Sequence, residues 1–263
     1  MDISLVNRRA LVGASSQGIG LAIATELALS GASVTLMARN EDKLKELQSS
    51  LPLVAERQQH AYLVVDFSDF DSYRNAITLF FENHRIDILV NNTNGPAPGT
   101  ALEKNISDYQ QAFNQLFQTV VLTTELALPH MMKQGFGRII NVTSSTVKEP
   151  SQTLVLSNTM RTALVSWAKT LSVQVAAAGV TVNNVLTGLF ETQRLLGLME
   201  REASERNISF EDVEKERIAR VPVKRLGDPK EYGYLVTFLA SDKASYLTGT
   251  SIQLDGGVMS SLL

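Results

Sequence analysis

Residues 10–20, ALVGASSQGIG, constrain this chain more than any other stretch. A short apolar run ends in a glycine-containing turn, and apolar residues at helical spacing follow from Leu21 to Leu29. A strand that feeds such a turn into a helix start gathers unpaired backbone N–H groups around a small space. That space suits a phosphate, and Gly18 and Gly20 let the backbone come close to it. An ordinary tight strand-to-helix turn has the same local pattern, so the context has to decide.

The context is an alternation. Ser33 to Arg39 (SVTLMAR), AYLVVD closing on Asp66, IDILVNN from Ile86 to Asn92, GRIINVTSS and VTVNNV each have strand length and β-branched content. Between them lie NEDKLKELQSSL, a segment from about Asp69 to Glu82, a long stretch ending near Met132, and Asn158 to Ala178, all with helical patterning. Strands alternating with helices predict an α/β fold, a doubly wound parallel sheet of Rossmann type with helices on both faces. From Thr192 to Arg220 the pattern turns charged and helical, without strand signals. This predicts a small inserted helical lobe in one domain spanning residues 1–263, on the edge where such sheets bind ligands. A solvated surface helix has the same pattern. YLTGTSIQLDGGVMSSLL closes the chain with a short strand and a glycine turn.

Composition removes several classes. With 263 residues and 44% hydrophobic content the chain can bury a full core, and a formal charge of −3 offers no basic field for nucleic acid or an anionic membrane. There are no cysteines, hence no disulfide scaffold, thiolate zinc site or thiol nucleophile. His60, His84 and His130 show no ligand spacing, so no metal is expected. No apolar stretch approaches the roughly 20 residues that span a bilayer, and the first residues show no export signal, so a cytoplasmic location is expected.

IDILVNN, GRIINVTSS, AKTLS before GVTVNNV, and RVPVKRLGDPKE followed by FLASDKASYLTGTSIQLDGG occur here in one order and spacing. On these segments the chain resembles the short-chain dehydrogenase/reductase family, and within it the 3-oxoacyl-acyl-carrier-protein reductase-like members. The resemblance implies hydride transfer between a nicotinamide cofactor and a carbonyl compound or secondary alcohol, a 3-oxoacyl thioester among the candidates. It also implies a homotetramer packed through two long helices. The family's first turn, Thr-Gly-x-x-x-Gly-x-Gly, falls without a gap on Gly13, Ala14, Ser15, Ser16, Gln17, Gly18, Ile19 and Gly20. Alanine replaces the first glycine, and Ser15, Ser16 and Gln17 are expected to line the phosphate. Arg39 stands where the family reads the adenosine ribose, and an arginine there pairs with a 2′-phosphate, so the resemblance favours NADP over NAD. Asp66 and Phe67 match the adenine contacts, and Asn92 and Thr93 match the turn after the fourth strand. Thr187 and Gly188 replace a Pro-Gly, with Phe190 and Thr192 on the nicotinamide side.

The catalytic set is altered. The family relies on an Asn, a Ser and a Tyr-x-x-x-Lys pair. Here the serine is Ser144, but Ser157 stands for the tyrosine and Arg161 for the lysine. Leu116 falls on the asparagine position, with Asn114 reachable by a two-residue shift. Arg161 keeps the cationic, ribose-holding half of the lysine's role and cannot shuttle protons. Ser157 has a hydroxyl far less acidic than a phenol, and SNTMR also suits a helix cap at that position. Two readings remain: an NADP-preferring oxidoreductase in which Ser144 polarises the substrate oxygen, or a weakly active or inactive dinucleotide-binding homologue serving as sensor or partner subunit.

Overall fold

The central strands bury their side chains on both faces, so alternate residues of one strand serve two different cores. In β1 (Arg9–Val12), Ala10 and Val12 join one cluster and Leu11 the other. This is the signature of a parallel sheet covered on both sides, and the computed structural model, which describes residues 2–262, contains one. After β1 come α1 (Gly18–Leu29), β2 (Ser33–Ala38), α2 (Glu41–Ser50), β3 (Ala61–Val64), α3 (Phe70–Asn83) and β4 (Ile88–Asn91). The second half holds α4 (Ile106–Phe113), α5 (Thr119–Gln134), β5 (Gly137–Val142), α6 (Val155–Val175) and β6 (Val180–Thr187). It ends with α7 (Gln193–Arg206), α8 (Phe210–Arg220), α9 (Pro229–Ala240) and β7 (Ser251–Leu254).

The seven strands run in the order β3-β2-β1-β4-β5-β6-β7. Strand order reverses between β1 and β4, and the crevice at that switch point is where such sheets take ligands. One face is covered by Ile23 and Leu27 of α1 with Tyr232 and Val236 of α9; the other by Ile77 of α3, Met131 of α5 and Ala168 of α6. Helices α7 and α8 carry a separate small core of Leu195, Met199, Ala203 and Val213. Among the described residues no helix is long and apolar enough to cross a membrane, and no group of His, Cys, Asp or Glu could hold a metal ion.

Three asparagines tie the centre of the sheet together. Asn91, Asn141 and Asn184 face one another in register on β4, β5 and β6, and Ser251 of β7 continues the row. Asn91 Nδ2 donates to Asn141 Oδ1 at 2.9 Å, and Asn141 Nδ2 to Asn184 Oδ1 at 2.9 Å. Asn184 Nδ2 reaches Ser251 Oγ at 3.3 Å. A slip of one residue in any of these pairings would break the row, so the amides fix the register beside the site.

Three sequence expectations change. Helix α6 starts at Val155, not Asn158, because the Val155 N–H bonds Gly99 O at 3.3 Å and Leu154 bridges Gly99. A tertiary backbone partner thus replaces the expected side-chain cap; Leu154, not Ser157, is the N-cap, and Ser157 lies within the first turn. The stretch ending near Met132 divides into α4, a π turn over Asn114–Gln118 and α5. Helix α9 was not singled out, although Asp228 and Glu231 form a capping box around Pro229 at its start.

A candidate cofactor cleft with an altered centre

The glycine turn lies at the switch point. Gly13 N donates to Val90 O at 3.0 Å, and Asn92 Nδ2 donates to Gly13 O at 3.1 Å. A methyl group at Gly13 would drive into the Asn92 carbonyl, so that position requires glycine for close approach. Ala14 has φ 43°, the left-handed conformation for which its glycine counterpart is suited. Helix α1 opens with no side-chain cap and no acidic residue in its first turn. Its first N–H groups are therefore available to an anion. Ser16, Gln17 and Ile19 border this opening with at least partial exposure.

Ser15 corrects one expectation. It is fully buried, its Oγ donates to Val12 O at 2.9 Å and accepts from Met37 N at 2.9 Å, and its own N–H bonds Met37 O. With both groups spent on β1 and β2, Ser15 holds the turn in shape and has nothing to offer a phosphate.

On the adenosine side Arg39 follows β2 and lies 3.9 Å from Asp66 Oδ2, both partly exposed. Burial works to raise the Asp66 pKa, but the Ser68 hydroxyl and N–H, at 2.6 and 2.9 Å, together with Arg39 hold it below the ordinary value. Phe67 is buried with its ring 5.3 Å from that of Tyr73, so it meets the cleft through its main chain. Gly13, Phe67, Asn92 and Thr93 border one crevice.

At the altered centre, Ser144 follows β5. Its Oγ accepts from Thr146 N at 3.2 Å and Thr146 Oγ1 at 3.0 Å, which leaves the Ser144 proton free to donate. Arg161 projects from α6 with only 8% exposure. Its Nε donates to Ser157 Oγ at 3.2 Å and its Nη1 to Val142 O at 2.6 Å. Burial pulls its pKa down to about 10, so it stays cationic at neutral pH. Ser157 accepts from that guanidinium and likewise keeps its own proton to give. The sequence brings Ser157 and Arg161 together by helical spacing of four.

Tyr232 does not replace the missing phenol. It is fully buried on the α9 side of the sheet, its hydroxyl donates to Val185 O at 3.2 Å and shares a bond with Thr187 Oγ1 at 3.0 Å, and burial raises its pKa. Gly188 packs where a methyl group would strike Asp255. Phe190 is 5% exposed and its ring lies 5.3 Å from that of Tyr232, so it too offers main chain. Thr192 caps α7 through Leu195 N at 3.2 Å, and its methyl lies 3.3 Å from the place a Cβ at Gly18 would take. The start of α7 therefore rests on the glycine turn.

Leu116 is buried in the π turn and has no amide to offer, and Asn114 Oδ1 accepts from Gln110 Nε2 at 2.8 Å. Between them Gln115 donates to Asn94 O at 2.7 Å, a residue the sequence reading passed over. It also passed over Arg194, in the first turn of α7, which donates to Gly95 O at 3.3 Å and Pro96 O at 3.1 Å. Its signal was its position, since acids rather than cations favour a helix start.

Residues 13–259 match a family model described as enoyl-(acyl carrier protein) reductase. The chain is 34% identical to the NADPH-dependent reductase BacG of Bacillus subtilis (strain 168) over 259 residues, 97% of this chain and 99% of the relative. It is 27% identical to the 3-oxoacyl-[acyl-carrier-protein] reductase FabG of Chlamydia pneumoniae, over 98% of this chain and 99% of that protein. The L-sorbose reductase of Gluconobacter frateurii, solved with NADPH and L-sorbose, superposes with a TM-score of 0.91 at 27% identity, covering 100% of both chains. With the sheet order, the glycine turn and nearly full-length matches in agreement, the chain belongs to the short-chain dehydrogenase/reductase family and is 3-oxoacyl-acyl-carrier-protein reductase-like.

Proposed function

We propose that this protein is an NADPH-dependent reductase that converts a carbonyl compound to a secondary alcohol without a catalytic tyrosine. The observation that carries the reading is the free proton of Ser144, whose oxygen already accepts two bonds from Thr146. NADPH, when bound, supplies the hydride. The residues around the cleft fit such a group: unpaired N–H groups at the start of α1, Gly13 and Gly20 where a Cβ would collide with backbone, and Arg39 beside the adenosine place. Ser16, Gln17, Gly18 and Ile19 hold the diphosphate; Asp66, Phe67, Asn92 and Thr93 flank the adenosine half. Arg161, Thr187, Gly188, Phe190 and Thr192 hold the nicotinamide half. Ser144 donates to the substrate oxygen, and Arg161 stabilises the negative charge that develops there. Water held by the Ser144 and Ser157 hydroxyls would relay a proton from bulk solvent to the developing alkoxide in place of the absent phenol, the counter-hydroxide remaining in solvent. The carbonyl carbon would gain the hydride and its oxygen the relayed proton, giving the alcohol and NADP+.

Stopped-flow oxidation of NADPH against a panel of 3-oxoacyl thioesters, ketoses and simple ketones tests this. Turnover with at least one carbonyl is expected; tight NADPH binding with no turnover across the panel would establish the binding-protein reading instead. For cofactor choice, Arg39→Asp should invert the affinity preference for NADPH over NADH, because a carboxylate repels the 2′-phosphate and accepts the 2′-hydroxyl. An unchanged ratio would show that another residue reads that position.

A further inference from the structure

The mouth of the cleft holds two arginines that no carboxylate answers. Arg161, at the centre, forms no ion pair among the described residues, and its Nη2 has no acceptor there. Arg194 forms none either; it uses one N–H each of Nη1 and Nη2 on Gly95 O and Pro96 O and leaves Nε without a partner. The elsewhere abundant arginines of this lobe behave differently: Arg201, Arg206 and Arg217 all pair with glutamates.

One loop links the elements that carry the two guanidiniums. Residues 93–100 leave β4, pass under Arg194 at Gly95 and Pro96, and reach the start of α6, where Gly99 bonds both Thr153 and Val155 backbone. Two residues into that helix stands Ser157, which accepts from Arg161. A Cβ at Gly95 would lie 2.5 Å from Arg194 Nη2, so a side chain there would displace the guanidinium. The positive charge of Arg194 depresses the proton affinity of Arg161, so the two feel one another. Arg194 also sits at the positive end of the α7 dipole, where a cation is unfavourable.

Two cations with donors unspent, one of them at a helix start, suit an anion. The diphosphate of the cofactor already has the N–H groups at the α1 start. We propose that the substrate is an oxo acid whose carboxylate is read by Arg194, with Arg161 contributing to the same positive field beside the carbonyl. The proposal rests on the reductase reading above, and deepens it: Arg161 bonds Val142 O, two residues before Ser144, which sets its charge beside the carbonyl.

The test compares pyruvate, phenylpyruvate and 3-oxobutyrate with their methyl esters in NADPH oxidation, and titrates the protein–NADPH complex with oxamate, read by NADPH fluorescence. The acids should exceed their esters by about 30-fold or more in kcat/KM, the loss expected when one partner of a desolvated charge pair is removed. Arg194→Gln keeps a donor for the Gly95 and Pro96 carbonyls but loses the charge. It should raise KM for the acids by a similar factor, leave NADPH affinity intact and abolish oxamate binding. Arg194→Lys should retain most of the preference for acids. Equal rates for acid and ester in the unmodified protein, or an unchanged preference in Arg194→Gln, would overturn the proposal. A fall in NADPH affinity matching the rise in KM would assign Arg194 to the cofactor diphosphate, and also overturn it. If no carbonyl turns over, oxamate binding that depends on Arg194 still supports the anion site while the reductase reading fails.

Discussion

Replacing Ser144 with alanine should lower kcat/KM by about 10²–10³-fold and leave NADPH affinity unchanged, the loss typical of removing one donor aimed at a developing oxyanion. The size follows from what is missing around it. In a centre that held a phenol and an ammonium, one hydroxyl would share the work of polarising the carbonyl. Here Ser157 occupies the phenol's place and its oxygen accepts from Arg161 Nε at 3.2 Å. Ser144 is held differently, since Thr146 N and Oγ1 at 3.2 and 3.0 Å fix its oxygen and leave its proton uncommitted. That preorganisation is what makes a donor effective. A kcat that falls with KM unmoved marks an interaction made in the transition state. A wild-type rate in Ser144→Ala would move the polarising role to Arg161 alone. Ser144→Thr, which keeps the hydroxyl, should recover part of the rate.

Asn141→Ala should destabilise the fold by about 3–5 kcal/mol, measured as a lower urea midpoint at constant m-value. Asn141 is fully buried at the middle of the amide row. Its removal strands Asn184 Oδ1, which loses its donor, and takes from Asn91 Nδ2 its 2.9 Å acceptor, leaving only Thr124 Oγ1 at 3.2 Å. Each stranded buried polar group costs about 1–3 kcal/mol, and the cavity adds to that. A loss below about 1 kcal/mol would mean that water enters the space and substitutes for the amide. Asn141→Ala should also lower activity more than global unfolding accounts for, because Ser144 stands three residues further along the same strand exit.

How far these features could be read from residues alone depended on where their partners lie in the chain. The alternation of strands and helices and the place of the glycine turn are local or spacing properties, and they carry through to the sheet order. Ala14 was placed on a glycine position by ungapped matching, and its φ of 43° agrees. Ser15 misled because a serine in a phosphate turn has the pattern of a ligand, while its actual partner, Met37, lies across β2. Ser157 misled in the same way: Ser-Asn before an apolar run has the form of a cap, and only Gly99, brought in by tertiary folding, starts the helix earlier. The asparagine row and the Arg194 clasp join residues 43 to 99 positions apart, and no period in the sequence announces them. The capping box of α9, by contrast, stood in the open as Asp-Pro-Lys-Glu.

The small core of α7 and α8 has one more consequence. Leu195, Met199, Ala203 and Val213 pack among themselves, and Glu202 pairs with Arg206 at 2.9 Å and Arg217 at 2.6 Å. Little of this lobe depends on the sheet, whose own cores are assembled from other residues. A graft of a different helix pair between Leu195 and Arg220 is therefore expected to leave the urea midpoint of the sheet and its two cores unchanged.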